Sequence, residues 1–293
     1  MPVPSEFLFA ARFTEADFRS VAWADRGNVW DSPELSPRFP GFQQGGYDQS
    51  DSAGRGHWLS PEGPQYFMPP QSGVAPNGLP IFNWDQAALQ LTRHSNGWAG
   101  VGNSAVVTFG FRETAPGVMP DGATNFSQFS AAQIAATLEV LSLWSDGANI
   151  TFVRVGEGYT NNATMLFANY NTPGDGASAF AYYPGSTAAG SFAGDVWVNL
   201  AVPANFDLTE GTFGPHILAH EIGHAIGIAH PGDYDASDPG DPSYPESADY
   251  WQDARMFTVM SYFGSGGTGG NLNAFASGPQ LHDIAAAQLL YGA

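Results

Sequence analysis

The sequence predicts one mixed α/β domain built around a single sheet. Its 293 residues are enough to bury a sizeable core, and 43% of them are hydrophobic and 14% aromatic, which argues against a disordered chain. The predicted elements run in the order helix, strand, helix, several strands, helix, long loop and helix. That order is typical of one sheet covered by helices.

The charge balance excludes several classes of partner. Nine basic residues face 28 acidic ones, which gives a formal net charge of -19. A chain with this balance is not expected to bind nucleic acid or an anionic membrane surface. There is no Cys, and no apolar run reaches roughly 18 residues, so the sequence predicts neither a disulfide nor a membrane-spanning helix. The first residues also lack the basic start and apolar core of a Sec signal peptide.

The front of the chain differs in composition from the rest. Residues 31–80 are rich in Pro, Gly, Ser and Gln, which predicts loop or extended chain. We therefore divide the chain into an N-terminal extension, 1–75, and a folded domain, 76–293. The aromatic residues of the extension favour a strap across the surface of the domain, and a pro-segment is the other interpretation.

Local capping patterns predict the helices. Asn83 caps a helix over 84–94, and Ser130 with Gln133 forms a capping box before a second helix. The apolar stripe predicted for the second helix consists of Ile134, Leu138 and Leu141. Two more helices are expected over about 213–226 and 280–291.

Runs of β-branched and aromatic residues predict the strands. These runs lie at 105–111, 149–155, 163–170, 178–184 and 195–200. Together with the helices they complete the α/β order.

Residues 220–230 read HEIGHAIGIAH and carry the chemistry. His220 and His224 are four residues apart, so on a helix they project from one face and can bind one Zn²⁺. Gly227 can adopt the left-handed conformation that ends a helix, and the turn can return His230 to the same ion. Three protein ligands leave a position open for water, as in catalytic rather than structural zinc sites.

Glu221 follows the first of these ligands. Its carboxylate can reach a water molecule activated by the metal and take its proton, so the pattern supplies a metal, a nucleophile and a base. A pattern of eleven residues is not expected to arise by chance. A purely structural zinc site is the other alternative, and the presence of Glu221 argues against it. The other His residues lack such partners and are expected to be structural; they are His57, His94, His216 and His282.

A Met follows the motif in the segment FTVMSYF, 257–263. A Met placed after an HExxHxxGxxH helix is the Met-turn expected of metzincins. Met260 would then lie beneath the zinc as a hydrophobic floor, not as a ligand.

At this point the chain resembles the serralysins, the bacterial branch of the metzincin zinc endopeptidases. Pro231 follows the third His in HPGDYDA (230–236), and VMSY (259–262) is a Met-turn of the serralysin type. The first and last helices of the serralysin protease domain resemble NWDQAALQLTRHSNGW (83–98) and PQLHDIAAAQLLYGA (279–293). The resemblance spans about 76–293 and implies the α/β metzincin fold, a twisted mixed sheet with an HExxH helix.

The resemblance implies a zinc-dependent endopeptidase that hydrolyses peptide bonds of extended protein or peptide substrates. It implies that His220, His224 and His230 bind the zinc and that Glu221 is the general base. Tyr262 would be a further, displaceable zinc ligand that stabilises the oxyanion. The edge strand that pairs antiparallel with substrate would correspond to Ala179, Phe180, Ala181 and Tyr182.

The resemblance further implies secretion and allows a proteinaceous inhibitor as a second partner. Serralysins usually continue into a β-roll of calcium repeats, and this chain ends at Ala293, where that roll would begin. Ca²⁺ is then expected only if an acidic loop such as residues 232–242 holds an ion. The alternative for that loop is a solvated acidic surface.

Two alternatives to an active peptidase stay open. One is a latent proenzyme held inactive by residues 1–75. Because the chain has no Cys, its inhibitory ligand would be a backbone group or a side chain such as Asp48, Asp51 or His57. The other is a zinc-bearing module that binds a protein without turnover, against which the intact Glu221 speaks.

Overall fold

The structure is a computed structural model that describes residues 9–11, 73–174, 176–186, 189–235 and 242–293. The strands are β1 (Phe9–Ala11), β2 (Gly73–Val74), β3 (Pro80–Ile81), β4 (Ala105–Phe111), β5 (Ile150–Tyr159), β6 (Met165–Tyr170), β7 (Ala179–Ala181) and β8 (Val196–Asn199). The α-helices are α1 (Trp84–Leu91), α2 (Ala131–Gly147), α3 (Phe213–Ala225), α4 (Tyr244–Ser247) and α5 (Leu281–Tyr291). Short 3-10 helices lie at Pro120–Gly122, Gly190–Phe192, Pro203–Phe206 and Ser265–Thr268.

The main sheet is mixed, as the sequence predicts. Its strand order is β1-β7-β8-β6-β4-β5. Strands β5, β4, β6 and β8 are parallel to one another, whereas β7 is antiparallel to β8 and β1 is antiparallel to β7. In addition to the one predicted sheet, β2 and β3 form a separate two-stranded ribbon.

The capping patterns place the helix starts correctly. The side chain of Asn83 accepts a hydrogen bond from the Gln86 amide at 2.8 Å, and Ser130 caps α2 in the same way through Gln133. Helix α1 ends at Leu91 rather than 94, because the hydroxyl of Thr92 bonds back to the Ala88 carbonyl and the chain then turns.

The buried face of α2 differs from the predicted stripe. Leu141 is buried, but Leu138 is 39% exposed. Helix α2 packs against α3, and the indole of Trp144 donates a hydrogen bond to the Ala219 carbonyl at 3.3 Å. The buried residues of the helix are Gln133, Thr137, Val140, Leu141 and Trp144, and Ile134 of the predicted stripe packs against the core.

The two faces of the sheet bury different clusters. The face that carries Phe167, Ala179 and Val198 packs with the helices α2, α3 and α5 in the main core. The opposite face buries an aromatic cluster that includes Tyr170, Phe180 and Trp197. Helix α3 therefore lies inside the protein, with all of its residues buried.

The chain beyond α3 is mostly loop, closed by α5. Helix α5 packs against α1, and the hydroxyl of Tyr291 donates to the Ile226 carbonyl at the end of α3. The packed body begins with β2, and Ala75 is buried against Ile81 and Trp251. In the described part of the chain, no helix is long and apolar enough to cross a membrane.

Candidate metal centre

Three imidazoles converge at one buried point. His220 and His224 lie on α3, and His230 follows it. The Nε2 atoms lie 3.1 Å apart for His220 and His224, 3.1 Å for His224 and His230, and 3.2 Å for His220 and His230. Among the described residues, this is the one group of three or more His or acidic side chains whose ligand atoms come together.

A glycine turn brings the third imidazole to the first two. Helix α3 ends at Ala225, and Gly227 has φ +106°, which an L side chain rarely adopts. A Cβ on Gly227 would lie 2.7 Å from the Oγ of Ser95. The Ile228 amide then bonds to the Gly223 carbonyl at 2.9 Å, which closes the turn and directs the chain towards His230.

Each imidazole is oriented by a backbone carbonyl. The Nδ1 atom of His220 lies 2.8 Å from the Val259 carbonyl; His224 pairs with Ile228 and His230 with Tyr234, both at 2.7 Å. A carbonyl only accepts hydrogen bonds, so Nδ1 carries the proton and Nε2 presents its lone pair. The three lone pairs therefore face one another at the common point.

The charge state of the triad suits a metal ion. Burial lowers the pKa of His220 to about 4 and holds the pKa values of His224 and His230 well below the usual range. Neutral imidazoles with converging lone pairs repel one another unless a cation lies between them. In many metal sites a His binds the metal through one ring nitrogen and donates a hydrogen bond to a carbonyl through the other. The three imidazoles have this arrangement, so they fit a divalent transition metal.

Glu221 is fully buried on α3, next to the first imidazole in sequence. Neither of its carboxylate oxygens has a hydrogen-bond partner among the described residues. Burial raises the pKa of Glu221 well above its usual range. A carboxyl group with a raised pKa holds a proton more strongly than an exposed one, which suits a general base.

Met260 and Tyr262 both lie at the triad. The Sδ atom of Met260 packs against α3 at Gly223, where a Cβ would approach it to 2.5 Å. The ring of Tyr262 lies 4.6 Å from the ring of His230 and 6.0 Å from that of His220.

The predicted substrate strand also leads to this centre. Ala179, Phe180 and Ala181 form β7, whereas Tyr182 lies just beyond the strand. The ring of the next residue, Tyr183, meets the His224 ring edge-on at 5.9 Å.

The description of this segment as an edge strand needs correction, because β7 is not the last strand of the sheet. Strand β1 pairs along its outer side, with Phe9 opposite Ala181 and Ala11 opposite Ala179. The short run at Phe9–Ala11 carries no alternation that would have revealed this strand in the sequence.

Two buried carboxylates at the site were missed by the sequence interpretation. Asp283 accepts hydrogen bonds from the Thr258 hydroxyl at 2.5 Å and the Val259 amide at 2.8 Å. Asp253 accepts hydrogen bonds from two hydroxyls in the same region, and burial raises the pKa of both carboxyls to about 7. Asp283 lies three residues after Gln280 in a capping box, which was a usable signal, whereas nothing local marks Asp253.

The other His residues that the structure describes, His94, His216 and His282, do not join the cluster. His216, buried one turn before His220, has its Nδ1 atom 3.1 Å from the Ala276 carbonyl. His282 is buried and stacks on Phe257, and His94 lies near Arg93, which together with burial lowers its pKa.

Several candidates lie wholly or partly outside the described residues. These are Asp48, Asp51 and His57 in the extension, and residues 236–241 of the acidic loop. Asp233, which is described in that loop, pairs with Arg93 at 2.8 Å.

Comparisons with known proteins agree with this geometry. A sequence profile described as Metallo-peptidase family M12 matches residues 89–276. Serralysin G of Dickeya chrysanthemi is 42% identical over 224 residues, which cover 73% of this chain and 45% of that protein. Metallopeptidase AprA of Pseudomonas marginalis is 41% identical over 228 residues, which cover 74% of this chain and 46% of that protein. The chain thus spans less than half the length of these relatives.

The glycine turn generates a testable prediction about metal affinity. Gly227→Ala forces a side chain into left-handed backbone, at about 1–2 kcal/mol, and also against Ser95. Because this displaces His230, we expect affinity for a divalent transition metal to fall at least about tenfold in competition with a chromophoric chelator. Gly102→Ala is the matched control, since Gly102 has φ +79° with nothing within 4 Å. Equal metal affinity in the two variants would contradict the prediction.

Proposed function

Since the chain belongs to metallopeptidase family M12 and its protease region is similar to serralysins, we propose that it is a zinc-dependent endopeptidase acting on extended protein or peptide substrates. The observation that carries the proposal is the convergence of the Nε2 atoms of His220, His224 and His230 beside buried Glu221. We assign the catalytic domain to residues 76–293 and treat residues 1–75 as an N-terminal extension. The relatives do not favour a latent proenzyme or a zinc-bearing module without turnover.

The donor set supports zinc as the metal. Three imidazole nitrogens from one short segment match the ligands that zinc takes in catalytic sites, where a fourth position stays open. No carboxylate joins the three ligand atoms among the described residues, which disfavours Mg²⁺ or Ca²⁺ at this point. When bound, zinc supplies a Lewis acid that polarises the peptide carbonyl and makes water a stronger acid.

Glu221 performs the proton transfers in this proposal. Its carboxylate accepts a proton from the attacking water as the water oxygen bonds to the carbonyl carbon and negative charge develops on the carbonyl oxygen. It then passes that proton to the amide nitrogen, and the C–N bond breaks as the carbonyl re-forms and the amine leaves. The raised pKa of Glu221 makes its carboxylate a stronger base than an exposed one. A buried carboxylate without partners is also free to approach a reacting group.

Tyr262 stabilises the charge that develops on the carbonyl oxygen. Its ring lies 6.0 Å from that of His220 and 4.6 Å from that of His230, which supports a role for Tyr262 at the same site. A phenol donating a hydrogen bond to the oxyanion acts most strongly where water is excluded. Met260 supports the site from below through its packing on Gly223.

The outer side of β7 receives the substrate as an added strand. Strand β1 pairs antiparallel with this side of β7, which supports the proposal that an extended peptide adds there. Tyr183 continues from β7 to the ring of His224, so a strand on β7 passes close to the triad. Because β1 and substrate use the same backbone groups, they compete for this position.

We further propose that the protein acts outside the cell, as its similarity to serralysins implies. The same similarity makes a proteinaceous inhibitor a plausible second partner. Calcium bound by the acidic loop 232–242 stays a prediction, since residues 236–241 lie outside the described residues.

The role of Glu221 predicts a separation of metal binding from turnover. Glu221→Gln keeps the shape of the side chain but removes the base, so we expect kcat for a quenched-fluorescent peptide to fall by about 10²–10⁴-fold. Zinc content, measured by atomic absorption, should stay at the wild-type level. Glu139→Gln makes the same change on the exposed face of α2 and should leave kcat unchanged. Full activity in Glu221→Gln would exclude this mechanism.

Competition by β1 predicts a change in KM. A chain that starts at residue 73 lacks β1, so we expect its KM for extended peptides to fall several-fold with kcat unchanged. A synthetic peptide of residues 7–13 should restore a higher apparent KM, whereas a scrambled peptide of the same composition should not. An unchanged KM in the shortened chain would show that β1 does not compete with substrate.

A further inference from the structure

Asp253 lies between the two segments that follow the active-site helix. It is fully buried, and one of its oxygens, Oδ1, accepts two hydrogen bonds. The Tyr234 hydroxyl donates to it at 2.9 Å and the Ser261 hydroxyl at 2.6 Å. Its other oxygen has no hydrogen-bond partner among the described residues. The Oδ1 atom of Asp253 therefore holds together the hydroxyls of Tyr234 and Ser261, which lie 27 positions apart in sequence.

The first of these hydroxyls belongs to the residue that orients His230. The Tyr234 carbonyl accepts the hydrogen bond from Nδ1 of His230 at 2.7 Å, and the two rings stack at 5.4 Å with 12° between their planes. Moving Tyr234 therefore moves His230.

The second hydroxyl lies directly before Tyr262. Ser261 is fully buried, and its Oγ accepts a hydrogen bond from the Phe263 amide at 3.0 Å while donating to Asp253. The Tyr262 ring packs on that of Tyr234 at 5.0 Å and on that of His230 at 4.6 Å. The position of Tyr262 thus depends on the same hydroxyl pair.

We propose that Asp253 is a positioning residue that fixes His230 and Tyr262 relative to each other by holding the Tyr234 and Ser261 hydroxyls on one oxygen. The inference rests on the proposed function, which gives His230 and Tyr262 their roles. Asp253 acts through its two partners and does not itself touch the ligand atoms. Buried side chains around it keep water from replacing either hydrogen bond.

Asp283 provides an internal comparison. It bonds the Thr258 hydroxyl and the Val259 amide, and the Val259 carbonyl orients His220. Asp283 also accepts a hydrogen bond from the Gln280 amide at 2.8 Å, so it ties the start of α5 to the segment that orients His220. Of these two buried carboxylates, Asp253 is the one that joins the residue orienting His230 to the residue directly before Tyr262.

The test compares Asp253→Asn with Asp253→Ala. Asn keeps an oxygen at the same place that can accept both hydrogen bonds, whereas Ala removes it. We expect Asp253→Ala to lower kcat by about 10–100-fold with KM within about twofold of wild type, and Asp253→Asn to retain kcat within about threefold. The visible absorption spectrum of the Co²⁺-substituted protein should change in the Ala variant and match wild type in the Asn variant.

Two smaller deletions keep the proposal testable if the Ala variant does not fold. Tyr234→Phe and Ser261→Ala each remove one hydroxyl, and either loss breaks the connection. The kcat of the double variant should therefore be little lower than that of the more damaging single variant. If the two hydroxyls acted independently, the fold-losses in kcat of the two single variants would multiply in the double variant.

The outcomes are distinct. Three results would each overturn the role of Asp253. The first is a double variant whose loss of kcat equals the product of the Tyr234→Phe and Ser261→Ala losses. The others are an unchanged Co²⁺ spectrum in Tyr234→Phe and an equal loss of kcat in Asp253→Asn and Asp253→Ala. A wild-type chain that binds Co²⁺ but cleaves no peptide would instead refute the proposed function. The Co²⁺ spectra would still test the positioning role in that case.

Discussion

The mutual repulsion of three buried imidazole lone pairs is the constraint on which the site depends. Each Nε2 atom lies within 3.2 Å of the other two, and each ring is held by a carbonyl on its opposite nitrogen. This arrangement is favourable only when a cation lies among the three atoms, and the burial that keeps the rings neutral also makes them good ligands. The three carbonyls come from the glycine turn, from the loop after it and from the turn that holds Met260.

The rest of the fold holds those three segments in place. Helix α3 packs against the sheet, accepts a hydrogen bond from the Trp144 indole at the Ala219 carbonyl, and contacts Met260 at Gly223. Helix α5 supports the Met260 turn through Asp283. Strand β7 joins the sheet to the site, because the second residue after it is Tyr183, whose ring meets that of His224.

The sequence predicts the local parts of this site and misses the long-range ones. The ligands are recognisable because helical spacing and one Gly place them within eleven residues, and capping residues mark the starts of α1 and α2. The stripe predicted for α2 is wrong at Leu138, because the helix buries the polar side chains of Gln133 and Thr137, which an apolar pattern does not count. Asp253 could not be recognised, because its partners are remote in sequence. The pairing of β1 with β7 could not be predicted either, since three residues carry too little pattern.

If one zinc ion held by the three imidazoles is required for peptide hydrolysis, returning zinc to the metal-free protein should restore activity. The purified chain is stripped with o-phenanthroline, dialysed and titrated with zinc while cleavage of a quenched-fluorescent peptide is followed. We expect cleavage activity to be lost when zinc is removed and to rise linearly with added zinc until about one zinc per chain is bound. Activity that survives complete removal of zinc, or a return that needs no zinc, would contradict it.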